Sequence, residues 1–232
     1  MKRAGIPILA VATLLSAAFA DTGEKERKRI SESGQVLKEI LATPDKGISS
    51  NLLAKAKCVI VLPSVKKAGF GVGASYGRGV MTCRTGEGAS ATWSDPVMMA
   101  LEGGSVGFQS GAQATDFVIL VMNDKGAKAI LQSKVKLGGD ASIAAGPVGR
   151  TAEASTSANM QAEMLSYSRS QGVFAGVSLA GSTLRSDDSA NQDLYRKKVS
   201  AEAILQGKDV TPPAEAKALT APLKEQAQSA AQ

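Results

Sequence analysis

The chain has 232 residues, 27 basic against 21 acidic, a net charge of +6 and no histidine. Without histidine there is no Ser-His-Asp relay, and two cysteines alone do not hold a zinc ion. The mild basic excess, 4% aromatic residues and lack of a binding motif argue against nucleic acid; no metal, cofactor or nucleic-acid partner is expected.

Residues 1–20 have the composition of a secretory signal. Lys2 and Arg3 form a basic start, 6–18 an apolar run, and Ala18-Phe-Ala20 a cleavage-like site before Asp21. The apolar run is too short to span a bilayer and no second one follows. A periplasmic or secreted product is expected, and Asp21 stands where a lipoprotein would need cysteine. Removing Lys2 and Arg3 leaves 25 basic against 21 acidic residues, or +4, a mild bias toward anionic partners. One domain over 21–223 with a flexible Ala/Gln-rich tail at 224–232 is the simplest division.

A helix is predicted over 22–42, with Ile30, Leu37, Ile40 and Leu41 on one face and the charged run Glu24-Lys-Glu-Arg-Lys-Arg29 at its start. That apolar face either packs on the domain or enters a membrane surface. Pro44 and Gly47 end the helix, and Ser49 or Ser50 caps a short one through Lys55. Strands are predicted at 58–62, 71–76, 79–84, 89–93, 105–109, 116–122, 134–137, 141–145 and 172–184. Helices are predicted at 127–132 and 192–206, and a last one from Pro212 and Pro213 that frays after Leu223. The fold class is therefore α+β: a glycine-rich (24 glycines), mainly antiparallel sheet or small barrel framed by N- and C-terminal helices. Uneven segments and missing aromatic girdles argue against a transmembrane barrel.

Cys58 and Cys83 both lie in strand-like runs. In an oxidising compartment they form one disulfide, contributing about 3–4 kcal/mol on the chain-entropy model; two buried thiols are the alternative.

Ser64-Val-Lys-Lys67 spells S-x-x-K, but the K-T-G element of penicillin-binding enzymes is missing. The plainer reading is a polar turn after the 58–62 strand. G-x-S-x-G occurs at 73–77 and 103–107, in neither case before a convincing helix. No phosphate loop follows Gly69, Gly71 and Gly73, and Asp95, Glu102, Asp116, Asp124 and Asp140 show no paired spacing. No catalytic residue is assigned, and a non-enzymatic role is expected. The basic residues remain: Lys66, Lys67, Arg78 and Arg84, then Arg150, Arg169 and Arg196-Lys-Lys198. They are solvated surface charge unless several converge with the Lys25-to-Arg29 cluster. Converged, they make an anionic-lipid footprint of about 1 kcal/mol per residue.

Several segments are familiar in their order. They are Ala56-Lys-Cys-Val-Ile-Val-Leu-Pro63, Lys67-Ala-Gly-Phe-Gly-Val-Gly73, Trp93-Ser-Asp-Pro96 and Gly103-Gly-Ser-Val-Gly-Phe-Gln-Ser-Gly-Ala-Gln113. Leu137-Gly-Gly-Asp140, Gly146-Pro-Val-Gly-Arg150 and the run from Tyr167 to Gly181, followed by Tyr195, complete the series. Together they resemble the SYLF-domain family from about residue 29 to 223. The resemblance implies lipid binding: eukaryotic members, often joined to Src-homology-3 modules, bind phosphoinositides, fungal ones also bind actin, and bacterial ones are exported. In a bacterial periplasm the implied ligand is phosphatidylglycerol, cardiolipin or lipid A phosphate. Membrane contact by the first helix and its basic residues maps to Lys25, Arg27, Lys28 and Arg29, with Lys66 and Lys67 as neighbours. Arg78, Arg150 and Arg169 complete the candidate lipid-binding set. The alternative is a structural or protein-interaction module of the envelope with a protein partner.

Overall fold

The computed structural model describes residues 23–42, 47–70, 72–86, 91–106, 111–132, 134–148, 161–170 and 173–229. The signal-like segment 1–20 and Arg150 lie outside the described residues. Two helices come first, α1 (Glu24–Leu41) and α2 (Ser50–Lys55). Then follow β1 (Cys58–Phe70), β2 (Val72–Thr85), β3 (Thr92–Trp93), β4 (Val97–Val106), β5 (Gly111–Val121) and α3 (Asp124–Gln132). The second half holds β6 (Val135–Lys136), β7 (Ile143–Ala145), β8 (Met164–Ser170), β9 (Val173–Gly176) and β10 (Thr183–Ser186), closed by α4 (Asp188–Tyr195), α5 (Ala201–Leu205) and α6 (Ala216–Ser229).

Ten strands make one sheet along the path β6-β10-β4-β2-β1-β5-β8-β7, with β3 added to β2 and β9 to β8. Every pairing is antiparallel except β7 with β8. The two edge strands of the path, β6 and β7, are consecutive in the chain. The chain from Lys136 to Ile143 reaches at most about 25 Å when extended. A flat path of eight strands would set its edges about 34 Å apart. The sheet therefore curls into a half-barrel.

Both faces of its centre are buried, which is why β1 and β5 read as unbroken apolar runs. Val59, Val61, Val80, Val118 and Leu120 meet Ile30, Leu37 and Ile40 of α1, Leu52 and Leu53 of α2, and Leu219 and Leu223 of α6. On the inner face Ile60, Leu62, Met81, Met99, Phe117 and Ile119 pack with Ile130 of α3 and Ile204 and Leu205 of α5. The apolar stripe of α1 is thus core, and only its charged flanks are open to a partner. α1 and α6 cross closely at Gly34, where an added Cβ would stand 2.5 Å from the Ala218 carbonyl oxygen. Cys58 and Cys83 are direct partners in the β1–β2 register and are disulfide-bonded.

Several expected boundaries move. The polar turn at Ser64 is a bulge within one long strand: β1 shifts register between Leu62 and Val65 and then continues to Phe70. Ser64 takes a left-handed φ of 51°, and its N–H donates to Asp116 Oδ1 at 2.8 Å. Opposite the bulge an added Cβ on Gly79 would overlap the Val61 carbonyl oxygen, so β2 needs glycine to pass there. β8 and all of β4 before residue 105 were not anticipated. The helix expected over 192–206 is two: α4 ends at Arg196 in left-handed conformation, and Ser200 caps α5 through its hydroxyl. α6 continues past Leu223 to Ser229, and Leu223 is the last buried apolar residue among those whose side chains are described.

Candidate functional site

At one end of the sheet the strands outrun the core. The last core residues are Val65 on β1, Leu101 on β4 and Phe117 on β5. Beyond them β1, β2, β4 and β5 stay paired as far as Phe70, Val72, Val106 and Gly111. Lys66, Ala68, Ala74, Tyr76, Gly104, Gln113 and Ala114 are exposed on this apex. Strand alternation puts Lys66, Ala68, Ala74 and Tyr76 on the α1 side and Lys67 and Gln113 on the other. The segments 66–76, 103–106 and 111–115 contain no carboxylate, and Lys66 and Lys67 are their only charges. Lys67 Nζ lies 5.0 Å from the centroid of the Phe117 ring, so its stem is held against the core while its charge stays near the surface. Tyr76 (45% exposed) and Val173 at the start of β9 (65%) are the exposed large hydrophobic residues of the described chain.

A belt of ion pairs separates this apex from the helix-covered region. Arg185 donates to Glu102 at 2.7 Å; Arg78 donates to Tyr76 Oη at 2.7 Å and forms an ion pair with Asp187 at 3.0 Å. The hydrogen bond to Tyr76 first, then the charge of Asp187, hold Arg78 above its ordinary pKa against the effect of burial, and Glu26 of α1 adds to this. Arg169 bridges Asp116 at 2.9 Å and Glu39 of α1. α1 therefore crosses the strands from β2 to β8, just below the row that carries Lys66.

The sequence-predicted cations thus divide. Arg78 and Arg169 are structural, each bound to carboxylates of the belt. Arg29 pairs with Glu26 at 3.5 Å and Lys28 reaches Glu32 at 3.9 Å, while Lys25 is exposed. Arg84 lies 4.8 Å over the Trp93 ring, and burial lowers its pKa. Lys66 and Lys67 share the apex, whereas Arg27 meets Arg196 and Lys197 at a separate cleft. Ser75 sits in mid-strand and donates to the Gly103 carbonyl at 3.3 Å. It is not on a strand-to-helix turn, so no nucleophile elbow forms around it. Tyr76 and the belt escaped sequence reading because each depends on a partner far away in the chain. Among the described residues no group of three or more metal-ligating side chains forms, and no helix is long and apolar enough to cross a membrane.

The family model described as "Ysc84: Las17-binding protein actin regulator" matches residues 102–226. The chain belongs to the Ysc84 family, the SYLF-domain family of the sequence resemblance. It is 42% identical over 171 residues to the SH3 domain-containing protein PJ696.02 of Schizosaccharomyces pombe, covering 72% of this chain and 39% of that protein. With SH3 domain-containing YSC84-like protein 1 of Bos taurus it shares 38% over 177 residues, 76% of this chain and 50% of the relative. LAS seventeen-binding protein 3 of Saccharomyces cerevisiae is 36% identical over 173 residues, 73% and 37%. The chain spans half or less of the length of these curated relatives. Their names refer to SH3 domains and to LAS seventeen binding, and none names an enzymatic activity.

Proposed function

We propose that this Ysc84-family domain is an exported, non-enzymatic protein that binds anionic lipid surfaces through the sheet apex. The observation that carries the reading is the apex itself: exposed strands of small residues whose only charges are Lys66 and Lys67. Anionic headgroups attract such a surface without meeting a carboxylate, at about 1 kcal/mol per lysine. Phosphatidylglycerol, cardiolipin and lipid A phosphate supply that charge. α1 contributes Lys25 rather than an inserted apolar face, because Ile30, Leu37 and Ile40 are core residues. In liposome flotation the protein should partition to phosphatidylglycerol vesicles and not to phosphatidylcholine ones, and salt should weaken it. Lys66→Glu with Lys67→Glu should lower partitioning at least tenfold, while Lys208→Glu, on an exposed turn, should leave it alone. Equal recovery on both vesicle types would end this reading. Export is checked by N-terminal sequencing of protein from cells, which should begin at Asp21.

A protein partner is the second reading, favoured by the exposure of Tyr76 and Val173 and by relatives named for Las17 binding. A partner recovered from envelope extracts by the wild type and lost with Val173→Glu would favour it over lipid.

A further inference from the structure

A second basic site lies away from the apex, in a cavity of about 480 Å³ where the start of α1, the end of α4 and the segment 209–214 meet. Arg27, Arg196 and Lys197 line it, with Asp209 as the one carboxylate and Thr211 as a hydroxyl donor. None of these four charged residues forms an ion pair with another described residue, unlike Arg78, Arg169 and Arg185 of the belt. The Arg27 Nε is buried and finds no hydrogen-bond acceptor among the described residues, a cost that a bound anion would remove. Of the three described non-glycine residues with left-handed backbone, two line this cavity: Arg196 at φ 56° and Asp209 at φ 55°. Such conformations persist where surrounding structure imposes them, and they cluster at ligand sites.

We propose that this cavity binds a phosphomonoester. Its lining carries three positive charges and one negative, a net +2 that matches the near-dianion of a phosphomonoester at neutral pH. Two guanidinium groups offer planar forks that pair bidentately with phosphate oxygens, and Lys197 adds a point charge. A phosphodiester has one charge and two free oxygens and satisfies the site less well. The same chemistry is presented by a phosphomonoester lipid headgroup and by soluble sugar or glycerol phosphates.

Calorimetric titration of the full chain with glycerol 3-phosphate tests the soluble source. Flotation on phosphatidic acid against phosphatidylglycerol vesicles, matched for surface charge, tests the lipid source. The variant carries Arg196→Gly and Lys197→Ala; glycine suits the left-handed backbone at 196 and both side chains are exposed, so the fold is kept. Saturable glycerol 3-phosphate binding, at least tenfold weaker in the variant, supports the site with a soluble ligand. A preference for phosphatidic acid that the variant loses, without soluble binding, supports it with a lipid ligand. Neither effect, or effects of equal size in variant and wild type, overturns it. Lys66→Glu with Lys67→Glu should leave the titration unchanged, so failure here and failure of the apex reading are told apart.

Discussion

The sheet has two halves that obey different rules. Below the ion-pair belt β1, β2, β4 and β5 are buried on both faces. Above it the same four strands carry mainly alanine, glycine and serine with two lysines, and Lys66, Ala68, Ala74, Tyr76, Gln113 and Ala114 are exposed. Apart from Lys67 over Phe117, strand hydrogen bonding rather than core packing holds the upper half in register with the lower, so substitutions above the belt should change surface chemistry and those below should change stability.

The sharpest test of that contrast is a cavity in the covered half. Leu120→Ala, at a fully buried site between sheet and helices, should cost about 2–5 kcal/mol in denaturant unfolding. A cost below about 1 kcal/mol would mean that the helix layer is not packed as described. The belt comes next. Asp187 caps α4 at the Ala190 N–H, accepts from Ser189 at 2.9 Å and binds Arg78. Asp187→Ala should cost about 2 kcal/mol, from the lost cap and the lost ion pair together. A smaller effect, about 1 kcal/mol, is expected of Tyr195→Phe, which removes the 2.7 Å hydrogen bond to the Pro96 carbonyl.

That variant also has a pH signature. Burial first, then the charge of Asp95, raise the Tyr195 pKa above its ordinary value of about 10, and burial raises that of Tyr167. The folded state keeps these phenols protonated, so their contribution is intact below about pH 10. It is lost as pH rises further, because the unfolded chain releases those protons. Melting temperatures from about pH 8 to 11 should fall less steeply for Tyr195→Phe than for the wild type. Least of all, Ala74→Ser on the apex should shift stability by no more than about 0.5 kcal/mol. A loss above about 2 kcal/mol there would show that the apex is covered after all.

Much of the lower half was legible from local pattern. The 3.6-residue stripe of α1, the Ser49 cap (which accepts from the Leu52 N–H at 3.3 Å) and the apolar runs of β1 and β5 are short-range signals. β8 was not legible. Met164-Leu-Ser-Tyr-Ser-Arg-Ser170 mixes polar and apolar residues because Ser166 is satisfied inside, its hydroxyl donating to the Val177 carbonyl with the Ala144 carbonyl also in reach. The start of β4 was missed because Val97-Met-Met-Ala-Leu101 has few β-branched residues and no alternation: both its faces are buried.

By itself the sequence determined the α+β class, the absence of a histidine-based relay, the family resemblance and the charged positions worth testing. It also placed two cysteines in strand-like runs, and pairing brought them face to face. Only the tertiary structure decided which cations are neutralised. Whether an arginine binds a carboxylate, a ring or nothing depends on residues brought beside it by strand register and helix crossing. Arg78 and Arg169 met carboxylates from distant segments and became structural. Among the described residues Lys66 and Lys67 met none, and Arg27, Arg196 and Lys197 came to line one cavity with Asp209. The physical reason is range: periodicity and capping act within a few residues, whereas the fate of a charge is set by contacts that form only when the sheet closes.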